Sequence, residues 1–166
     1  MRRFLPFAIP FGAIVAAGIG AYLLVGRGPG PCASHVQVPL DALDPEVEPC
    51  VTTSGQAHYG AVIRQTHPGG LLAEERRRYL FPLLPQGQVD EREVRVLVLT
   101  EREPERLVAY EAMQVSGRVV RATPDRVPYS AEIQLGEAGG YFFTDDMVVL
   151  LPDAIVSDGE TWRPTR

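Results

Sequence analysis

Val94-Arg-Val-Leu-Val-Leu-Thr100 is the stretch on which the reading of the fold turns. Branched side chains at this density suit a pleated surface. Successive strand residues point to opposite faces, so Val94, Val96 and Val98 line one face, and Leu97 and Leu99 share the other with Arg95. Such a strand is expected at the centre of the sheet.

Further β segments follow on either side. Upstream, Gln86 to Glu93 is a polar loop and Tyr79–Leu84 a strand, which Pro82 places at an edge or a bulge because it has no ladder donor. Leu71–Arg78 could make two helical turns, with Glu74 and Arg78 as an i,i+4 pair. Pro68-Gly69-Gly70 is a turn, and Val51 to Thr66 is one long strand or two, broken by a bulge near Gly55 or Gly60. Downstream, Glu101 to Arg106 turns the chain, and Met113-Gln-Val-Ser-Gly-Arg-Val-Val120 is a strand with Gly117 at a bend. Tyr129–Leu135 fits either a helical turn or a strand. Gly139-Gly140 and Asp145-Asp146 read as turn chemistry around Tyr141–Phe143. Ile155–Trp162 carries Asp158-Gly159 between two short β runs, a hairpin signal. Six or more short strands with at most one or two short helices make the class all-β, a small barrel or a sandwich. The bent first strand and the glycine-interrupted later one resemble an OB-type Greek-key barrel. Val51-Thr-Thr-Ser-Gly55 and Met113-Gln-Val-Ser-Gly117 are faintly alike, too briefly to be a repeat.

Ahead of this domain, Phe4 to Val25 holds twenty-two residues without a charge. As a helix it would span roughly 33 Å, enough to cross a bilayer. Small-residue sites such as Ala16-Ala17-Gly18 would suit a cleaved leader, but Ala21–Val25 continues apolar beyond them, so an uncleaved anchor is expected. Arg2 and Arg3 precede the run and only Arg27 follows closely, which sets the N-terminus in the cytoplasm and the remainder outside it, in a periplasm or the extracellular space. Gly12, Ala16 and Gly20 recur at a spacing that lets two membrane helices approach closely. The expected organisation is an anchor over residues 1–25, a Pro/Gly/acidic spacer over 26–49 with a solvated loop at 39–49, and a β-domain over 50–166.

Beyond Arg27, thirteen Arg face twenty-one Asp plus Glu, and the chain has no Lys. Nucleic acid demands a basic surface, so a nucleic-acid partner is not expected. Cys32 and Cys50 are the two cysteines. In an exported domain an even pair reads as a disulfide, closing a loop worth about 3 kcal/mol by loop entropy. The competing reading is a metal site, since Cys32-x-x-His35 with Cys50 and His58 offers four ligands of suitable type. An oxidised pair cannot ligate, and no metal or cofactor is expected.

Catalytic patterns are missing: no G-x-S-x-G, H-E-x-x-H, P-loop, dinucleotide fingerprint or C-x-x-C-H occurs in the chain. Adjacent carboxylates such as Glu74-Glu75 and Asp145-Asp146 point apart and make no acid–base pair. Arg76-Arg77-Arg78 reads as a solvated face, and Tyr141-Phe142-Phe143 as core packing rather than a ligand platform. The expectation is a single-pass, non-catalytic accessory, assembly or scaffold subunit. It would sit in the bilayer and engage another membrane or envelope protein. The alternative is a membrane-tethered metal or redox carrier, or an enzyme, using Cys32, Cys50 and the nearby histidines.

Overall fold

The computed structural model describes residues 30–67, 76–88, 90–104 and 111–163. The apolar run with Gly12, Ala16 and Gly20, the Pro68-Gly69-Gly70 turn and Glu74-Glu75 lie outside them. Among the described residues no helix is long and apolar enough to cross a membrane. The fold is mostly β-sheet, with one α-helix among the described residues. Its strands are β1 (Val36–Gln37), β2 (Cys50–Ala57), β3 (Ile63–His67), β4 (Arg76–Leu84), β5 (Glu93–Thr100), β6 (Glu111–Arg121), β7 (Phe142–Ser157) and β8 (Glu160–Trp162), and the helix is α1 (Tyr129–Gly139).

The strand pairing returns on itself. β2 is antiparallel to β6 and β6 to β7; β7 runs parallel to β5, and β5 is antiparallel to β4. β4 then pairs back to β2 through Leu84↔Gln56 and Leu83↔Ala57. Two glycines permit this ring. A Cβ on Gly55 would lie 2.8 Å from both Leu83 Cγ and the Leu84 carbonyl oxygen, so β2 meets β4 only because Gly55 has no side chain. A Cβ on Gly117 would lie 2.2 Å from the Leu151 oxygen and 2.7 Å from Pro152 Cα, where β6 presses against β7. The two similar pentapeptides are antiparallel partners: Val51 opposes Gly117, and Gly55 opposes Met113.

The ring encloses one core and carries another outside. Val51 and Ala57 of β2, Phe81 and Leu83 of β4, Val96 and Val98 of β5, Met113, Val115 and Val119 of β6, and Val148, Leu150 and Ile155 of β7 pack together. These positions mostly alternate along their strands, as period two requires. The complementary side chains of β4 and β5, Leu80, Leu84, Val94 and Leu97, pack with Ile63, with Ala131 and Leu135 of α1, and with Tyr141. β4 and β5 are therefore covered on both faces, which is why their sequences are nearly continuous apolar runs.

The structure departs from the sequence reading in several places. Val94 packs in the outer core, away from Val96 and Val98. The change of face coincides with a break in the β5–β7 register, where Val94↔Phe143 is followed by Val96↔Val148. Asp145-Asp146 lies inside that irregularity, within the sixteen-residue β7, and makes no turn. Pro82 does not mark an edge: β4 has partners on both sides, and Pro82 falls between its last β3 partner, Leu80, and its first β2 partner, Leu83. Arg76–Arg78 begin β4 and are not helical. Residues 31–49, expected as part of a spacer, belong to the compact unit Pro31–Arg166. β1 runs parallel to β2, a 3₁₀ turn forms at Leu40–Ala42, and Leu43 is buried in the inner core. Burying one leucine contributes about 1.5–3 kcal/mol, and Val38 and Leu40 pack against the same core. Other expectations match the structure. Asp158 and Gly159 take positive φ of 49° and 76° at the tip of the β7–β8 hairpin.

Candidate functional site

The strongest candidate lies where the first described residues meet β7. The Cys32–Cys50 disulfide is formed, with the Cα atoms 5.8 Å apart. It joins the segment ahead of β1 to the first residue of β2. The β1–β2 pairing supports this approach, since Val36 and Gln37 lie beside Val51 and Thr52, and Val38 N–H donates to the Thr52 carbonyl at 2.9 Å.

A third residue reaches this corner from far along the chain. The β6–β7 ladder pairs Gly117 with Pro152 and then Ser116 with Ala154, so Asp153 is the extra residue of a β-bulge. A bulge re-aims side chains, and here it directs the Asp153 carboxylate at the disulfide corner. Asp153 Oδ2 accepts the Cys32 backbone N–H at 3.2 Å and lies 3.0 Å from His35 Nε2. Both of these side chains are roughly one-quarter exposed. Cys32 Sγ, a ring nitrogen of His35 and a carboxylate oxygen of Asp153 all lie within 4.8 Å of one another. A sulfur, an imidazole and a carboxylate thus converge, 118 residues apart in sequence between His35 and Asp153.

His58, the fourth member of the sequence-based ligand set, is elsewhere. It follows Ala57 at the far end of β2, eight strand residues at about 3.3 Å each from Cys50. There its Nδ1 hydrogen-bonds the Tyr141 hydroxyl, with the rings edge-on at 5.6 Å between centroids. The Arg92 guanidinium lies 5.3 Å from the centroid of the same Tyr141 ring. Burial, and secondarily the charge of Arg92, lower the His58 pKa, so the neutral imidazole is favoured. Tyr141 is placed by the end of α1: Gly140 takes a left-handed φ of 72°, and Tyr141 N–H reaches back to the Leu135 carbonyl at 3.4 Å.

A groove of about 540 Å³ opens between Ala42–Glu46, Arg95, Arg121 and Asp145–Val148. Its two cations are engaged: Arg95 Nε is 2.8 Å from Asp146 Oδ2, and Arg121 pairs with Glu46. The first pair spans β5 and β7, and the second, exposed, links the loop carrying Leu43 to the end of β6. In the aromatic triplet, Tyr141 and Phe143 join the outer core while Phe142 is exposed, in keeping with packing rather than a stacking platform.

The chain matches no known protein family, curated protein or solved structure.

What the site offers chemically therefore rests on its own residues. Sequence reasoning found Cys32, Cys50 and His35 but missed Asp153. The available signal was indirect: Gly117 marked a bend in one strand, and Pro152 interrupted the ladder of its neighbour.

Proposed function

We propose that this chain is a single-pass membrane protein whose β-domain, outside the cytoplasm, serves as a non-catalytic accessory or assembly subunit. Residues 4–25 would be the anchor, with Gly12, Ala16 and Gly20 available to pack on a neighbouring span. The domain is read as a Greek-key barrel of the OB type. In chain order its ring strands are β2, β4, β5, β6 and β7, and they pair as first–second–third–fifth–fourth, with the third and fifth parallel. Hydrogen exchange tests that closure: the amides joining Gln56 and Ala57 to β4 should be protected as strongly as the β2–β6 ladder. Rapid exchange at those positions would favour a sandwich.

The observation that carries the interaction reading is the outer face of α1. Ala131 and Leu135 are fully buried, whereas Tyr129 and Ile133, one turn apart, are 77% and 48% exposed. Surface aromatic and branched residues paired on a helix face suit a partner's apolar patch. A photo-crosslinking side chain at position 129 or 133 in the full-length membrane protein should give a discrete adduct, absent when it is placed at Glu160. Equal labelling at all three positions would remove the α1 docking face. A reporter active only outside the cytoplasm, fused after Arg166, should be active; activity of a reporter that works only inside would overturn the topology.

A further inference from the structure

We propose that the Cys32–Cys50 disulfide masks a metal site, and that after reduction Cys32, Cys50, His35 and Asp153 bind one zinc-class divalent cation. The proposal stands independently of the docking role above. Three ligand atoms are already grouped within 4.8 Å. Zinc bonds of about 2.0–2.3 Å place tetrahedral ligands some 3.3–3.8 Å apart, so closing the group on an ion asks for movements of about 1 Å. The fourth ligand needs no search, because breaking the cross-link leaves the Cys50 sulfur beside that of Cys32. Two thiolates, one imidazole and one carboxylate form a mixed S₂NO set, which by ligand softness and number suits zinc rather than calcium or magnesium.

Oxidised, the corner has too few ligands. Neither sulfur of a disulfide is a thiolate, so His35 and Asp153 alone remain. They meet each other at 3.0 Å instead of a cation. Reduction by a small dithiol balances as a two-electron exchange. The two dithiol sulfurs become a cyclic disulfide, the Cys32–Cys50 bond breaks, and two protons pass from the dithiol to the cysteine thiolates. Cation binding then releases those protons to water. Asp153 is built for this position rather than found there by accident of a mobile loop. It is the bulged residue of β7, between Pro152 and Ala154, which pair with Gly117 and Ser116, and the Cys32 backbone N–H already orients its carboxylate.

The test uses the full-length chain in detergent micelles, reduced with dithiothreitol without oxygen, desalted, and titrated with Co²⁺ as a spectroscopic probe. One equivalent should produce thiolate-to-cobalt charge-transfer bands and the visible bands of a tetrahedral ion, and Zn²⁺ should displace them. The oxidised chain should give neither. His35→Ala and Asp153→Asn should each weaken Co²⁺ binding at least tenfold, whereas His58→Ala should leave it unchanged. Should reduction unfold the domain, Co²⁺ should restore the far-ultraviolet spectrum of the parent chain and fail to restore that of Asp153→Asn. The proposal is overturned if the reduced chain binds Co²⁺ no better than the oxidised one. It is equally overturned if the His35 and Asp153 variants match the parent in affinity and in metal-dependent refolding.

Discussion

The two cores of this domain share β4 and β5 yet are made in different ways. The inner one is filled mainly by side chains of five strands that mostly follow the two-residue period, with Leu43 added from the loop ahead of β2. The outer one exists because α1, reached after β6, lies over the other face of β4 and β5. The inner core is thus a property of the ring, while the outer core depends on one helix docking through Ala131 and Leu135. The difference implies that damage inside the ring is global and damage under the helix is more local.

Val98→Asp is the sharpest way to break the comparison. Val98 is fully buried inside the ring, and a lone carboxylate there costs several kcal/mol. The variant should show no cooperative melting transition; a melting temperature equal to the parent's would remove β5 from the centre of the fold. Leu135→Ala addresses the outer core. It should cost about 2–5 kcal/mol and leave a cooperative transition, with hydrogen-exchange protection lost first in α1 and β3. Uniform loss of protection throughout the domain would mean that the two cores melt as one.

The disulfide gives an intermediate effect, because it staples the segment carrying Leu43 to the ring. Cys32→Ser, Cys50→Ser and the double variant should each lose about 2–4 kcal/mol in metal-free denaturant unfolding. All three remove the same cross-link, so their losses should agree; additive losses would point to separate roles for the two sulfurs.

The smallest effect is expected at His58, beside the outer core. Burial and Arg92 hold its pKa below the ordinary histidine value, so as pH falls the unfolded chain takes up this proton before the folded one does. The stabilisation is present above about pH 6.5 and is lost as pH drops below it. His58→Gln should flatten the fall in stability between pH 7 and pH 5 relative to the parent; an unchanged slope would assign that fall to other groups.

How far the sequence could be read depended on how local each decision was. The strand of Val94–Thr100, the Asp158-Gly159 hairpin and the irregularity at Gly117 were legible, since turn chemistry and period two act over a few residues; Gly55 was one of two candidate bulge sites, and its close approach to β4 is a tertiary fact. α1 was ambiguous for a particular reason. Tyr129, Ala131, Ile133 and Leu135 alternate like a strand, and only the outer face of β4 and β5 selects the helical register that buries Ala131 with Leu135. Asp145-Asp146 looked like a turn because acidic pairs favour turns, but the parallel β5–β7 ladder carries the chain through it.

By itself the sequence determined the β class, the pairing of its two cysteines and the bend at Gly117. Each of these follows from local conformational preference or from there being two cysteines to pair. The tertiary structure alone decided that Asp153 reaches His35, that His58 meets Tyr141 instead of the disulfide corner, and that Leu43 draws an acidic loop into the core. Those contacts join residues far apart in the chain, and a single bulged residue decides which face of a strand, and so which neighbour, a side chain meets.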